Sequence, residues 1–362
     1  MIHHSISVTL PLNEYPIYIG QQLLNDHSIL DASIQGHQVM VVSQENIATY
    51  YLPVLMEVLK KYDCHTVLLK EGEQYKDLDQ WQKILDELIQ HQHERSTTLI
   101  ALGGGMIGDL TGFAAACYLR GVNYIQIPTT LIAQVDAAIG GKTGVNHRSG
   151  KNLIGVFYQP KCVISDVDVL RTLPRREFIA GLAEVVKYGL ILDKDFFSWL
   201  EDNVQQLLAQ QSIALLHVVT TCSRIKSNVV IRDEREQGIR SLLNFGHTFG
   251  HALEVANHYD DLLHGEAVGL GMMIASKLSA TIGWISKAEC NRIQKLFLQL
   301  GFMVAPKKFP NPDEFLQLMR SDKKMKSGKQ NYILLKSIGN AEMTSDISEK
   351  DVVDVLTNLS YG

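Results

Sequence analysis

The stretch TTLIALGGGMIGD, residues 97–109, passes from a short apolar segment straight into a run of glycines. TTLIAL has the length and make-up of a buried strand. Gly103, Gly105 and Gly108 then fit G-x-G-x-x-G between that strand and a helix running through Phe113. Backbone amides at such a helix start face a pyrophosphate. One part of the pattern is missing. The acid that usually binds a ribose about twenty residues on has no counterpart, because the next strand ends in Ile127-Pro128-Thr129. The acidic loop Glu71-Gly72-Glu73-Gln74-Tyr75-Lys76, at the end of the preceding strand, is the candidate to take its place.

Outward from this stretch the chain alternates. Residues 5–19 read as a β-hairpin, Gln38–Ser43 as a strand, Ile47–Lys60 as a helix, His65–Lys70 as a strand, Leu78–Gln90 as a helix and Asn123–Ile127 as a strand. Strands and helices in this order predict a mostly parallel sheet with helices on its faces, an α/β Rossmann-like dinucleotide-binding domain over residues 1–173. Near LRTLPRR (170–176) the pattern changes, and strands almost vanish. Helices are expected at Glu177–Leu190, Phe196–Leu208, Ile213–Ile231, Gly246–Ala256, Gly265–Ala280 and Lys287–Leu300, with a small hairpin around Gly339-Asn340. Residues 174–362 thus form an all-α domain expected to bind metal and substrate.

Within the first domain lies PTTLIAQVDAAIGGKTGVNHRSGKNLIGVFYQP, residues 128–160. Lys142 and Lys151 among glycines, with Asn152 beside them, make an anion site. In the helical half, GLAEVVKY sets Glu184 and Lys187 at i and i+3 on an otherwise apolar helix. NFGHTFGH puts His247 and His251 at i and i+4 after Asn244, and His264 opens the helix HGEAVG. Glu184, His247 and His264 would supply the two-nitrogen, one-oxygen set of a catalytic zinc, and His251 in place of one of them is the competing assignment. Thr248 stands where the glutamate of H-E-x-x-H would be, so a water-activating protease is not expected. A metal beside a nicotinamide instead serves to hold a substrate hydroxyl as a Lewis acid.

The net charge of -5 over 362 residues gives no reason to expect nucleic acid or an anionic membrane as partner. Arg120, Lys142, Lys151, Lys187, Lys226, Arg240 and Lys336 therefore form a local excess of cations, which suggests a substrate with two anionic groups, such as a phosphate and a carboxylate. Five cysteines without a C-x-x-C pair argue against a disulfide framework and a thiolate zinc site. The N-terminus MIHHSISVTL does not read as a signal peptide, and no stretch reads as a membrane span, so a cytoplasmic protein is expected.

In this order and spacing GGGMIGD, the lysine stretch, GLAEVVKYGLI, NFGHTFGHALE and HGEAVGLGM resemble the 3-dehydroquinate synthase family over nearly the whole chain. The resemblance implies conversion of 3-deoxy-D-arabino-heptulosonate 7-phosphate to 3-dehydroquinate and phosphate, the second step of the shikimate pathway, by a homodimer using NAD and one divalent metal, zinc or cobalt. It implies Glu184, His247 and His264 as metal ligands. The NAD site would be lined by Glu71, Gly72, Glu73, Gln74, Tyr75, Lys76, Gly104, Gly105, Met106, Ile107, Gly108, Asp109, Thr129, Thr130, Asp136, Val169, Leu170, Arg171 and Thr172, with Lys142 and Lys151. Lys142, Asn152, Asn244, His251 and Lys336 would hold the phosphate, joined by Arg120 of a neighbouring subunit; Lys187, Lys226 and Arg240 would face the carboxylate, and Lys151 the reacting hydroxyls. Three rivals remain: a cyclase acting on sedoheptulose 7-phosphate, a zinc-dependent polyol dehydrogenase, and a catalytically silent NAD- and metal-binding sensor.

Overall fold

Apolar runs that are buried on both faces organise the first part of the chain. The structure, a computed structural model, describes residues 1–257, 262–302, 309–320, 325–326 and 329–358. In order come strands β1 (Ile2–Thr9), β2 (Glu14–Gly20), β3 (Gln38–Gln44), β4 (Asp63–Leu69), β5 (Thr98–Gly103), β6 (Asn123–Pro128), β7 (Lys142–His147), β8 (Gly150–Phe157) and β9 (Val163–Asp166). Between them lie helices α1 (His27–Ser33), α2 (Glu45–Leu59), α3 (Leu78–Gln90) and α4 (Gly105–Cys117). Seven strands form one sheet in the order β1-β2-β9-β6-β5-β3-β4. β1 and β2 are antiparallel, and every other neighbouring pair in it is parallel.

Alternation along the strands decides which helix each face receives. Val39, Val41, Ile100 and Leu102 point to one side, where they pack with Leu55 and Leu59 of α2. Met40, Val42, Leu99 and Ala101 point to the other, against Ile84 and Leu88 of α3 and Ile107 and Leu110 of α4. Polar caps fix where these helices begin. Asp77 accepts from the Gln80 amide at 2.9 Å and starts α3, and Asp26 does the same for α1 through the Ser28 amide at 3.0 Å.

Three features differ from the sequence expectation. β9 is only four residues long but wholly buried, and it joins the β1–β2 hairpin to the parallel strands. So short an apolar run carries too little periodicity to be read as a strand. Residues 142–157, expected as a lysine-bearing loop, pair as the antiparallel hairpin β7–β8. The helix expected over Phe196–Leu208 is two helices, because Asn203 leaves the helical region (φ -116°) and its side-chain amide donates to the Trp199 carbonyl at 2.8 Å.

Helices dominate the rest: α5 (Arg175–Leu192), α6 (Lys194–Asp202), α7 (Val204–Leu208), α8 (Ser212–Arg232), α9 (His247–Ala256), α10 (His264–Thr281), α11 (Lys287–Gln299), α12 (Pro312–Arg320) and α13 (Glu349–Thr357). A hairpin of Tyr332–Ser337 and Asn340–Thr344 accompanies them. The chain divides into two units, Met1–Leu173 with Leu215–Arg235, and Pro174–Ala214 with Glu236–Gly362. Most of α8 therefore belongs with the sheet. Within the second unit α5 is buried on all sides from Ala180 to Ile191, which makes it the central helix. α10 crosses it with backbone against backbone, since a Cβ on Gly265 would lie 2.0 Å from the Ala180 carbonyl oxygen. A Cβ on Gly271 would lie 2.1 Å from the Gly246 carbonyl oxygen, so α10 meets the start of α9 just as closely. Among the described residues no helix is long and apolar enough to cross a membrane.

Candidate active site

The close packing of α5, α9 and α10 brings Glu184, His247 and His264 together. One ligand atom from each lies within 4.8 Å of the others. Glu184 is 1 % exposed. Lys187 forms an ion pair with it one helical turn on, yet neither carboxylate oxygen receives a hydrogen bond of normal geometry. A buried carboxylate that receives no hydrogen bond is costly even beside one ammonium, and a second cation would offset that cost. The His247 Nε2 lies 3.8 Å from the Glu184 Oε1. Its other nitrogen, Nδ1, sits 3.2 Å from the Phe245 carbonyl, an acceptor that favours the proton on Nδ1 and so leaves Nε2 as the nitrogen able to bind a metal. This donor set fits a divalent metal of the zinc or cobalt type. The His251 ring stands 5.6 Å from that of His247 and 6.3 Å from that of His264, beside the set.

Among the described residues the buried lysines and arginines are Lys76, Lys187, Lys226 and Arg240. All four were named from the sequence as site residues. Lysine and arginine are seldom buried without a purpose that offsets the loss of hydration. Lys187 lies against Glu184 and over the Tyr188 ring at 5.3 Å. Lys226 donates at 2.6 Å to both the backbone carbonyl and a carboxylate oxygen of Asp136, in a single π-helical turn over Ala133–Ala137. Lys336 lies 3.3 Å above the centre of the Trp284 ring and 3.7 Å from Glu342. Asn244 donates to Glu236 at 2.5 Å.

In the first unit the expected cofactor residues follow the carboxyl ends of parallel strands: Glu71–Lys76 after β4, Gly104–Asp109 after β5, Thr129 and Thr130 after β6, and Val169–Thr172 after β9. Open α/β sheets bind ligands along this edge. Lys76 ties several of these loops together. Its ammonium donates to Asp109 at 2.5 Å and to Asn152 at 2.6 Å. Burial works against the Lys76 charge, but Asp109 and Glu73 outweigh it and hold its pKa above the ordinary value. Burial also raises the Asp109 carboxyl, against the pull of Lys76. Asn146 bridges further, donating to the Glu73 carboxylate at 2.9 Å and accepting from the Asn152 amide at 2.9 Å. Asn152 pays for this placement with a left-handed backbone, φ 53°, which asparagine tolerates better than most residues. Tyr51 donates to the Val169 carbonyl at 2.9 Å and contacts Thr172. The Thr129 hydroxyl is buried without a hydrogen-bond partner, and Gly104 lets the α4 start approach Thr130, which a Cβ would meet at 3.2 Å. Free first-turn amides, close backbone approach and an unused hydroxyl fit a dinucleotide phosphate.

Lys142 is exposed at the start of β7 and Lys151 half-buried in β8. Arg120 stands apart. It lies in the exposed turn before β6, at the amino edge of the parallel strands, with φ 68°. Sequence reasoning passed over two further groups, Asn146 and Glu254. Glu254 is 2 % exposed, and its Oε1 lies 3.2 Å from the His264 Nδ1. The signal was an acid seven residues beyond His247, on the same face of an otherwise apolar helix.

Residues 66–180 match the family model described as 3-dehydroquinate synthase N-terminal, and residues 181–325 the one described as 3-dehydroquinate synthase C-terminal. The 3-dehydroquinate synthase of Teredinibacter turnerae is 49% identical over 99% of both chains. That of Pseudomonas aeruginosa is 46% identical over 99% of this chain and 97% of its own. Among solved structures, 2-epi-5-epi-valiolone synthase from Streptomyces hygroscopicus, with NAD+ and Zn2+ bound, superposes with a TM-score of 0.89 at 29% identity over 97% and 98% of the two chains. 2-Deoxy-scyllo-inosose synthase, complexed with carbaglucose-6-phosphate, NAD+ and Co2+, gives 0.88 at 25% identity over 98% and 99%.

Proposed function

The chain belongs to the 3-dehydroquinate synthase family, and from that membership we infer that it is a carbon–oxygen lyase converting 3-deoxy-D-arabino-heptulosonate 7-phosphate to 3-dehydroquinate and phosphate, in the shikimate route to aromatic amino acids. The observation that carries the chemistry is Glu184, a buried carboxylate that receives no hydrogen bond, paired with a buried lysine and with one oxygen within 4.8 Å of a nitrogen of each of two imidazoles. Bound to the chain, NAD supplies a hydride acceptor restored within the cycle, and a divalent metal supplies a Lewis acid that lowers the pKa of a substrate hydroxyl.

The chain's own residues position the substrate and balance its charge. Glu184, His247 and His264 are the proposed metal holders. Lys187, Lys226 and Arg240, whose charges are buried and therefore little screened, are proposed to orient the carboxylate end. Lys142, Asn152, Asn244, His251 and Lys336 are assigned to the phosphate, and Lys151 to the reacting hydroxyls. The loops Glu71–Lys76, Gly104–Asp109, Thr129–Thr130 and Val169–Thr172, with Asp136, are assigned to NAD. The position of Arg120 at the opposite edge of the sheet supports its acting in the neighbouring subunit of a homodimer. A chain that sediments as a monomer while turning over at full rate overturns the dimer. Five free thiols support a cytoplasmic setting, which cell fractionation checks.

The deciding experiment measures phosphate release from the heptulosonate 7-phosphate with catalytic NAD while NADH absorbance is followed. Release without net NADH is expected. Net NADH without phosphate would instead identify a polyol dehydrogenase, and turnover of sedoheptulose 7-phosphate alone would identify a different cyclase.

A further inference from the structure

Among the described residues three carboxylates are buried, Asp166, Glu184 and Glu254. Two have an evident reason. Asp166 accepts from the amides of Gln22, Leu24 and Asp168 at 3.0–3.3 Å and so fixes the turn after β2. Glu184 belongs to the metal set. Glu254 has no place in the reaction described above, although a buried charge without a task is expensive.

The geometry points to Glu254 as the residue that positions His264 for the metal, an inference that rests on the metal reading of Glu184, His247 and His264. The His264 side chain is 41 % exposed, against 11 % for His247. His247 is held by its surroundings and by the Phe245 carbonyl, whereas the more exposed imidazole at the first position of α10 has less packing to fix its ring and gains more from a directed hydrogen bond. Glu254 Oε1, 3.2 Å from the His264 Nδ1, supplies that bond. A carboxylate there keeps the proton on Nδ1, leaves the lone pair on Nε2 and makes that nitrogen a better donor. Glu254 itself falls outside the group of ligand atoms that lie within 4.8 Å of one another, so it acts through His264 rather than on the metal. α9 thus contributes twice to one centre, with His247 in its first turn and Glu254 in its last.

The test titrates the metal-free full chain with Co2+, followed by visible absorption, and measures Zn2+ affinity by chelator competition. Glu254→Ala is expected to weaken both by about 10- to 100-fold. Glu254→Gln keeps an acceptor of the same shape without the charge, so a smaller loss is expected. A residue that only stabilises the fold would lower the melting temperature and leave the affinity of the folded fraction unchanged. Should the alanine variant fail to fold, the glutamine variant decides. Affinities within twofold of the parent in the folded variants overturn the inference, as does a Co2+ spectrum showing that Glu254 is itself a ligand. Loss of binding in Glu184→Ala alone, with both Glu254 variants unaffected, leaves the metal reading standing and removes this role for Glu254. A parent chain that binds neither ion removes both.

Discussion

Replacing Gly265 by alanine tests whether backbone contact between α10 and α5 builds the metal site. The added Cβ would stand 2.0 Å from the Ala180 carbonyl oxygen, 2.6 Å from its carbon and 3.1 Å from its Cα. All three are main-chain atoms of a helix buried on every side, so no flexible side chain can yield. An ordinary C···O contact is about 3.3 Å, and the α10 start must therefore retreat by roughly 1.3 Å. His264 is the adjacent residue and moves with it. Metal sites tolerate about 0.2 Å in ligand distance, so the shift exceeds the tolerance several-fold. We expect Zn2+ affinity to fall at least about tenfold, turnover to fall about 100-fold, and the second unit to lose about 1–3 kcal/mol from overpacking. Chelator competition, phosphate release and thermal melting read the three quantities. Gly283→Ala is the control: it has φ 77° and open space around its Cβ position, so it should cost about 1 kcal/mol through backbone conformation alone and leave metal binding intact. A Gly265→Ala chain that melts and binds zinc like the parent would refute the packing argument.

Glu184→Ala should lose bound metal and phosphate release together, as read by metal analysis of the dialysed protein; full zinc with full activity would contradict the ligand assignment. Lys76→Met leaves the half-buried Asp109 without its cation and should destabilise the first unit by about 1–3 kcal/mol, seen in denaturant unfolding, while weakening NAD binding in a fluorescence titration. His93 is buried, 3.2 Å from the His65 ring nitrogen and bonded to Thr97 at 2.7 Å. Burial, with the neighbouring imidazoles, lowers its pKa to about 4. Between that value and about 6.5 the unfolded chain binds the extra proton, so stability should be fully present above pH 6.5 and fall progressively toward pH 4. The loss is at most about 3 kcal/mol. His93→Gln should flatten that part of the stability profile, and an unchanged slope would remove His93 as its source.

The resemblance carried by GGGMIGD, NFGHTFGHALE and HGEAVGLGM was legible because the chemistry needs those residue types at those spacings. Glycines that clear a phosphate and histidines one turn apart survive as local patterns. Glu254 was harder to read. It sits in a quoted motif, yet its partner His264 is ten residues on, and only the α9–α10 packing shows that the two meet. β9 escaped for a different reason, since four buried residues have no period to detect, and pairing with β2 and β6 makes them a strand.

By itself, then, the sequence determined the alternation of strand and helix, the glycine turn after β5 and the residue types of a metal centre. These follow from local sterics and burial, which act within a few residues. Only the tertiary structure decided that most of α8 joins the sheet-bearing unit, that Lys76 links Asp109 to Asn152, and that Glu184, His247 and His264 lie within ligand distance of one another while His251 stands beside them. Those outcomes depend on which glycine lets one backbone reach another, as Gly265 does at Ala180, and a contact between distant segments leaves no period along the chain.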